Sequence, residues 1–156
     1  MPPVTSPSRL MFLAAAVSLA LLAGCAGAGP SVKAANDGLH VFGAKFGSAG
    51  VPDGLAGVPA EETPCLNGRD FSYEAKEVLI GYTHSGSIRK VVTRNPDTSI
   101  YGIRPGDDFA SAESKVLAAG FRETGAKHRY GNECCLLTLS VDETGRVFNL
   151  LLELRD

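Results

Sequence analysis

Residues 135–154 have the sequence CLLTLSVDETGRVFNLLLEL, and this stretch decides the fold. Apolar residues occupy positions 135, 137, 139 and 141, which is the period of a β-strand with one buried face. Residues 142–145 are typical of a tight turn, and apolar residues return at positions 148, 150, 152 and 154. The sequence therefore predicts a β-hairpin whose two strands share one buried face.

An amphipathic helix is predicted ahead of this hairpin, after a short strand over residues 99–104. The apolar residues at helical spacing are Phe109, Ala112, Val116 and Ala119. Asp108 is placed to cap the start of the helix and Gly120 to end it. The spacing predicts one helix over residues 109–119.

The chain repeats itself at a constant offset. The segment FGAKFG at residues 42–47 corresponds to YGIRPG at residues 101–106, which lies 59 positions later. The hairpin pattern at residues 78–93 corresponds to residues 137–152 at the same offset. A constant offset between distant segments indicates two copies of one structural unit, residues 39–96 and residues 98–155.

The two copies differ in the segment that carries the helix. In the first copy, residues 48–64 contain six glycines and prolines, which would interrupt a helix. We expect the apolar residues of this segment, Val51, Leu55 and Val58, to cover the sheet as a loop instead. The predicted fold class is α+β, with two tandem β-rich repeats that form an antiparallel sheet over residues 39–156 and one packed helix.

The start of the chain has the features of an export signal. Residues 10–22 are apolar at all positions but one, and they are too few to span a bilayer core, which needs about 20 helical residues. Residues 22–25, LAGC, close this run and resemble the lipobox of bacterial lipoproteins. The resemblance implies that residues 1–24 are a cleaved signal peptide and that Cys25 is acylated.

Residues 25–38 are rich in alanine and glycine and show no apolar period, so we predict a flexible tether here. Acyl chains on Cys25 would hold the protein on a membrane, because two or three chains together anchor stably. The expected location is the bacterial cell membrane or the outer membrane, on the exported side.

A second resemblance concerns the folded domain. The predicted strand ends at residues 103–106, IRPG, and the predicted helix follows it. The hairpin comes next and contains residues 141–147, VDETGRV. With the lipobox, these segments resemble the small outer-membrane-assembly lipoproteins and the tandem repeats of β-lactamase inhibitor protein. The resemblance implies a helix packed on an antiparallel sheet and a function without catalysis.

Three cysteines remain once Cys25 is acylated, and exported chains meet an oxidising environment. Cys135 has the parity of Leu137 and so points to the covered side of the sheet, and Cys65 ends the loop that does the covering. We therefore predict a disulfide between Cys65 and Cys135, worth about 4 kcal/mol in the chain-entropy model. Cys134 is left over, either as a reactive thiol or, as we favour, as a small apolar residue without a neighbouring cation.

Composition excludes several function classes. The formal net charge is −2, and it becomes −3 without residues 1–24, whose one charged residue is Arg9. No basic cluster is present, so we expect no nucleic-acid partner.

The three histidines, His40, His84 and His128, are not at ligand spacing, so we expect no metal. No catalytic motif is present either, and we expect neither a catalytic residue nor a cofactor.

The leading functional hypothesis is a lipid-anchored binding or scaffold module without catalysis. It would contact a protein or a cell-wall component through a sheet face or a loop. The alternative is a protein inhibitor of an envelope enzyme. A thiol-dependent envelope enzyme is the third hypothesis.

Overall fold

The computed structural model describes residues 30–156, with side-chain burial from residue 32 onwards. Its helices are α1 (Pro30–Asp37) and α2 (Phe109–Ala118). Its strands are β1 (Leu39–His40), β2 (Glu61–Cys65), β3 (Gly68–Tyr73), β4 (Val78–Thr83), β5 (Ile88–Thr93), β6 (Ser99–Ile100), β7 (Arg122–Glu123), β8 (Arg129–Gly131), β9 (Cys135–Val141) and β10 (Val147–Leu154). The α+β class with a large antiparallel sheet is confirmed.

Eight strands form one sheet in the order β2-β3-β4-β5-β10-β9-β8-β7. The two halves meet where β5 pairs with β10, with Thr93 opposite Leu150 and Val91 opposite Leu152. A shift of 59 positions takes Thr93 to Leu152 and Val91 to Leu150. The seam therefore pairs equivalent strands of the two copies about an approximate two-fold axis, as in a symmetric dimer interface.

The same backbone turn recurs in both copies. The φ angles are 49° at Phe42 and 52° at Tyr101, followed by 79° at Gly43 and 74° at Gly102. Positive φ is uncommon for residues other than glycine, so its recurrence at the offset of 59 is a specific likeness. Gly43 and Gly102 thus occupy like backbone positions.

The segment after each turn is fastened to the sheet in the same way. The Gly47 N–H donates to the Ile88 carbonyl at 2.9 Å. In the second copy, the Gly106 N–H donates to the Val147 carbonyl at 2.6 Å. Each covering segment is therefore attached to the start of the last hairpin strand of its own copy.

The strand predicted over residues 99–104 is shorter than expected. β6 ends at Ile100, because the turn at Tyr101 and Gly102 brings the Ile103 N–H back to the Ile100 carbonyl at 3.0 Å. β6 pairs with β1 in a separate two-stranded sheet, with Leu39 opposite Ile100. This small sheet joins the covering segments of the two copies.

The predicted helix 109–119 is α2, which ends one residue earlier, at Ala118. The Asp108 side chain accepts from the Ser111 N–H at 3.3 Å, as expected of an N-cap. Ala112 and Val116 are fully buried, so the predicted apolar face is the one that covers the sheet.

The first copy uses a loop in place of this helix, as predicted. One 3-10 turn, Asp53–Leu55, places Leu55 in full burial, and Val58 packs against the core beside it. The expectation is wrong for Val51, whose side chain is 55% exposed. Leu55 is therefore the main apolar contact that this loop makes with the sheet.

The tether prediction is wrong for residues 30–37, which form α1. Ala35 is fully buried in the core. The Asn36 side chain also accepts from the Phe46 N–H at 2.7 Å and donates to the Phe46 carbonyl at 3.3 Å. Val32, Ala35 and Leu39 are at helical spacing and pack on the core, but this period spans only two turns, and tertiary contacts order the segment. Residues 25–29 of the predicted tether lie outside the described residues, as do Cys25 and the predicted signal peptide, residues 1–24.

In the hairpin of β9 and β10, the Phe148 side chain is on the opposite face from the one predicted. The register shifts between Val147 and Asn149, so Val147 is fully buried and Phe148 is 49% exposed. A β-bulge of this kind adds a residue and changes which side chain points inward.

Replacing Leu150 by Ala should lower the free energy of unfolding by about 3 kcal/mol, because Leu150 is fully buried at the seam between the two halves. Leu151→Ala is the matched control on the same strand and should cost about 1 kcal/mol, since Leu151 is on the opposite face and partly exposed. Urea unfolding curves measure both values. Equal losses would contradict the assignment of one covered face and one open face.

Candidate functional site

The helices and loops cover one side of the eight-stranded sheet, and we call the other side the open face. Side chains alternate across a strand, so the open face is formed by every second residue. A central row of residues lies directly opposite one another on β3, β4, β5, β10, β9 and β8: Ser72, Leu79, Val92, Leu151, Thr138 and Arg129. All six are partly exposed. The open face is thus an accessible surface with an apolar centre at Leu79, Val92 and Leu151.

A row of charged residues runs beside this centre. Asp70 on β3 and Lys90 on β5 form an ion pair, with 2.6 Å between Oδ2 and Nζ. The two side chains are only 18% and 24% exposed, respectively, so water screens them less than a surface pair. The ion pair connects β3 and β5, which lie on either side of β4 in the sheet.

Gly81 on β4 makes this ion pair possible. Asp70, Gly81 and Lys90 are opposite one another on three adjacent strands. A Cβ atom at Gly81 would lie 2.8 Å from the Asp70 Oδ1 and 2.8 Å from the Lys90 Cε. The missing side chain therefore lets the carboxylate and the ammonium group meet across β4.

A second ion pair continues the row on the other half of the sheet. Glu153 on β10 lies opposite Lys90, and its Oε1 is 3.2 Å from the Nη2 of Arg129 on β8. Arg129 belongs to the central row and reaches Glu153 with its side chain, so the charges of the two ion pairs are negative, positive, negative and positive across the sheet. The face presents both signs close together and has no net excess of either in this row.

Open depressions extend the face at its two ends. The larger has a volume of about 320 Å³ and is lined by Ser72, Glu74, Glu77, Val78, Leu79, Val92 and Arg94. The other has a volume of about 200 Å³ and is lined by Cys65, Leu66, Asn67, Asp70, Tyr82, Arg89, Lys90 and Glu153. Both contain acidic and basic side chains, so the mixed polar character of the face continues into them.

The structure does not bring the predicted disulfide partners together. Cys135 is fully buried on the covered side of β9, as its parity predicts. Cys65 lies on the edge strand β2 and points to the open face, with its Sγ 3.9 Å from the Asp70 Oδ1. Four strands separate β2 from β9, which at about 4.8 Å per strand spacing places the two residues about 24 Å apart. The prediction is corrected because Cys65 belongs to an edge hairpin and not to the covering loop; both thiols are free.

The histidines have separate environments. The His84 Nε2 is 3.0 Å from the Leu66 carbonyl oxygen, and the His128 ring packs against Phe109 with 4.4 Å between centroids. Among residues 30–156, no group of three His, Cys, Asp or Glu side chains is arranged to hold a metal ion. No helix in this part of the chain is long and apolar enough to cross a bilayer.

Sequence patterns alone did not single out the charged row. Phe71 and Tyr73 alternate with Asp70 and Ser72, and this period of two could have revealed β3 and its polar face. The pairing of Asp70 with Lys90 depends on which strands are neighbours, and a single-strand pattern does not contain that information.

Comparison of the chain with protein-family models, with curated proteins and with solved structures finds no match. The geometry of the open face is therefore the basis for a functional hypothesis.

A double-mutant cycle on Asp70 and Lys90 should give a coupling energy of about 1 kcal/mol, because the pair is mostly shielded from water. The variants are Asp70→Asn, Lys90→Gln and the combination, and urea unfolding measures their stability. The matched control is the Lys33–Asp37 pair on α1, which is 75% and 66% exposed and should couple by less than about 0.5 kcal/mol. A coupling at Asp70 and Lys90 no larger than that of the control would refute the structural role of this pair.

Proposed function

We propose that this chain is a lipid-anchored lipoprotein of the bacterial cell envelope and that it acts as a non-catalytic binding module. Its binding surface is the open face, and its partner is a protein. The observation that carries the proposal is an eight-stranded sheet with one covered side and one accessible side whose apolar centre is bordered by ordered ion pairs.

The size of the open face suits a protein partner. Six of the eight strands have five to eight residues, and at about 3.3 Å of length per residue and about 4.8 Å of width per strand these six form most of the face. The resulting surface, about 600 Å², approaches the 800 Å² or so that each partner buries in a stable complex of standard size.

The chemistry of the open face also suits a protein partner. Interfaces between proteins have a centre depleted in charged residues and a polar border, and the uncharged residues Leu79, Val92 and Leu151 lie beside the charged row. Because Asp70 and Lys90 already pair with each other, a partner would not leave an isolated charge buried. The mixed signs disfavour nucleic acid, which requires an excess of basic residues.

The lipobox supports the membrane anchor. α1 begins at Pro30, so the folded domain starts five residues after Cys25. At about 3.5 Å per residue, five residues reach at most about 18 Å. An acylated Cys25 would therefore keep the domain close to the lipid surface, where its partner would also have to be.

Replacing Cys25 by Ser should move the protein from the membrane fraction to the soluble fraction, because it removes the acceptor of the acyl chains. Fractionation of cells, followed by immunodetection, measures the change. Cys65→Ser is the matched control and should leave membrane association unchanged, since Cys65 is an exposed residue of the folded domain. Membrane association of the Cys25→Ser protein equal to that of the wild type would overturn the anchor.

The binding surface can be tested by photo-crosslinking in intact envelopes. A photoreactive amino acid at Leu151 or Thr138, on the open face, should give one discrete cross-linked protein. The same amino acid at Leu117, an exposed position of α2, should not. Equal cross-linking from Leu117 would place the interaction elsewhere.

A charge swap sharpens this test. Asp70→Lys combined with Lys90→Asp keeps an ion pair in the sheet but reverses the charge pattern that a partner meets, so we expect at least a tenfold loss of cross-linked product. Swapping Lys33 and Asp37 on α1 is the control and should have no effect on the product. Unchanged cross-linking in the Asp70 and Lys90 swap would show that this row does not contact the partner. The identity of the product distinguishes a scaffold from an inhibitor, since an inhibitor would be joined to an enzyme whose activity it lowers.

A further inference from the structure

Two adjacent cysteines at the start of β9 have their sulfur atoms together. The Sγ atoms of Cys134 and Cys135 are 2.8 Å apart. Cys135 is fully buried, whereas Cys134 is partly exposed. The pair thus combines one partly exposed cysteine with one that is buried in the core.

Asn132 holds the backbone around this pair with its side chain and its own N–H group. The Asn132 Oδ1 accepts from the Cys134 N–H at 3.0 Å and from the Cys135 N–H at 2.9 Å. The Asn132 N–H donates to the Cys135 carbonyl at 3.0 Å. The backbone of the two cysteines is therefore ordered before any reaction. This lowers the loss of conformational entropy when a bond forms between them.

The C-terminal end of β10 holds the same segment from the other side. The Arg155 N–H donates to the Cys134 carbonyl at 2.8 Å, and its Nη1 donates to the Asn132 carbonyl at 2.8 Å. Carbonyl and amide groups of residues 132–135 thus form hydrogen bonds, and these bonds attach the segment to the sheet.

Cys65 does not compete for either sulfur within the folded domain. It points to the open face from the edge strand β2, four strands away from β9. The intramolecular partner that the fold offers to Cys135 is therefore Cys134.

We propose that Cys134 and Cys135 are a vicinal dithiol that a small-molecule disulfide oxidises to a disulfide by thiol–disulfide exchange. In the first step, the Cys134 thiolate attacks the small disulfide, forms a mixed disulfide and releases one small thiolate. In the second step, the Cys135 sulfur loses its proton and attacks the Cys134 sulfur, which releases the second small thiolate. The two protein thiols are oxidised, the small disulfide is reduced to two thiols, and the protons pass to these products.

The surroundings assign the order of the two steps. Cys134 is the partly exposed residue of the pair and Cys135 is fully buried, so we assign the first reaction to Cys134. Burial raises the pKa of the Cys135 thiol, and the neighbouring Cys134 raises this pKa further. Since the thiolate is the nucleophile, the second step is the slower one.

A disulfide between neighbouring residues constrains very little of the unfolded chain, so it contributes little to the stability of the fold. It changes the chemistry at one point of the core. Burial raises the pKa of the Tyr101 phenol, at the turn that recurs in both copies, and Cys135 and Cys134 raise this pKa further. The electrostatic environment of Tyr101 therefore depends on the ionisation of the pair.

The test uses the full chain with Cys25→Ser and Cys65→Ser, in which Cys134 and Cys135 are the remaining cysteines. The reduced protein is incubated with oxidised glutathione, trapped with an alkylating reagent and weighed by mass spectrometry. We expect a monomer that is lighter by two hydrogen atoms and carries neither alkyl groups nor glutathione. Two alkylated cysteines, a stable glutathione adduct or a disulfide-linked dimer as the main product would overturn the proposal.

Two controls show that the fold is responsible. Adding Cys134→Ser should abolish the loss of two hydrogens, because Cys135 then has no partner in the same chain. In concentrated urea, at the same ratio of oxidised to reduced glutathione, the ratio of disulfide to dithiol should fall at least tenfold. An equal ratio in native and unfolded protein would refute the role of Asn132 and the sheet in holding the pair.

Discussion

Pairing of β5 with β10 joins two four-stranded halves into one sheet, and the other features of the molecule depend on it. Each half on its own has only its own covering segment, one of which is a loop with a single fully buried apolar residue, Leu55. Joined at the seam, the two covering segments lie on the same side, and β1 pairs with β6 between them. One continuous core results, and the opposite side of all eight strands is left as one continuous surface.

The two copies show how much a repeat can change while its contribution to the sheet is kept. The turns at Phe42 and Tyr101 have nearly the same φ angle, and the hydrogen bonds that fasten the following segments recur at the same offset. Between them, the second copy forms α2 and the first forms a loop rich in glycine and proline. Burial of apolar area is not directional, so either structure can cover the sheet as long as an apolar side chain reaches it.

Gly81 connects the fold with the proposed function. In the interior of a strand, glycine weakens local structure, and it is retained where another group must approach closely. Here the approaching groups are the carboxylate of Asp70 and the side chain of Lys90. The ion pair keeps charged groups on the open face mutually neutralised beside an apolar centre, an arrangement similar to the charge-depleted core and polar rim of interfaces between proteins.

By itself, the sequence determined the features that depend on neighbours along the chain: the last hairpin, α2 with its Asp108 cap, the offset of 59 between the copies, and the burial of Cys135. It did not determine that residues 30–37 form a helix, that Val147 and not Phe148 is buried at the bulge, or which cysteines lie together. Tertiary structure decided those, because they depend on which strands become neighbours and on contacts between distant segments. Cys135 fits the period of two of its strand, but the order of strands put Cys65 on an edge hairpin, on the opposite side of the sheet and with four strands between the two residues. The charged row arose in the same way: Asp70, Lys90, Glu153 and Arg129 come from four separate strands, and side chains so far apart in the chain meet only when the sheet has formed.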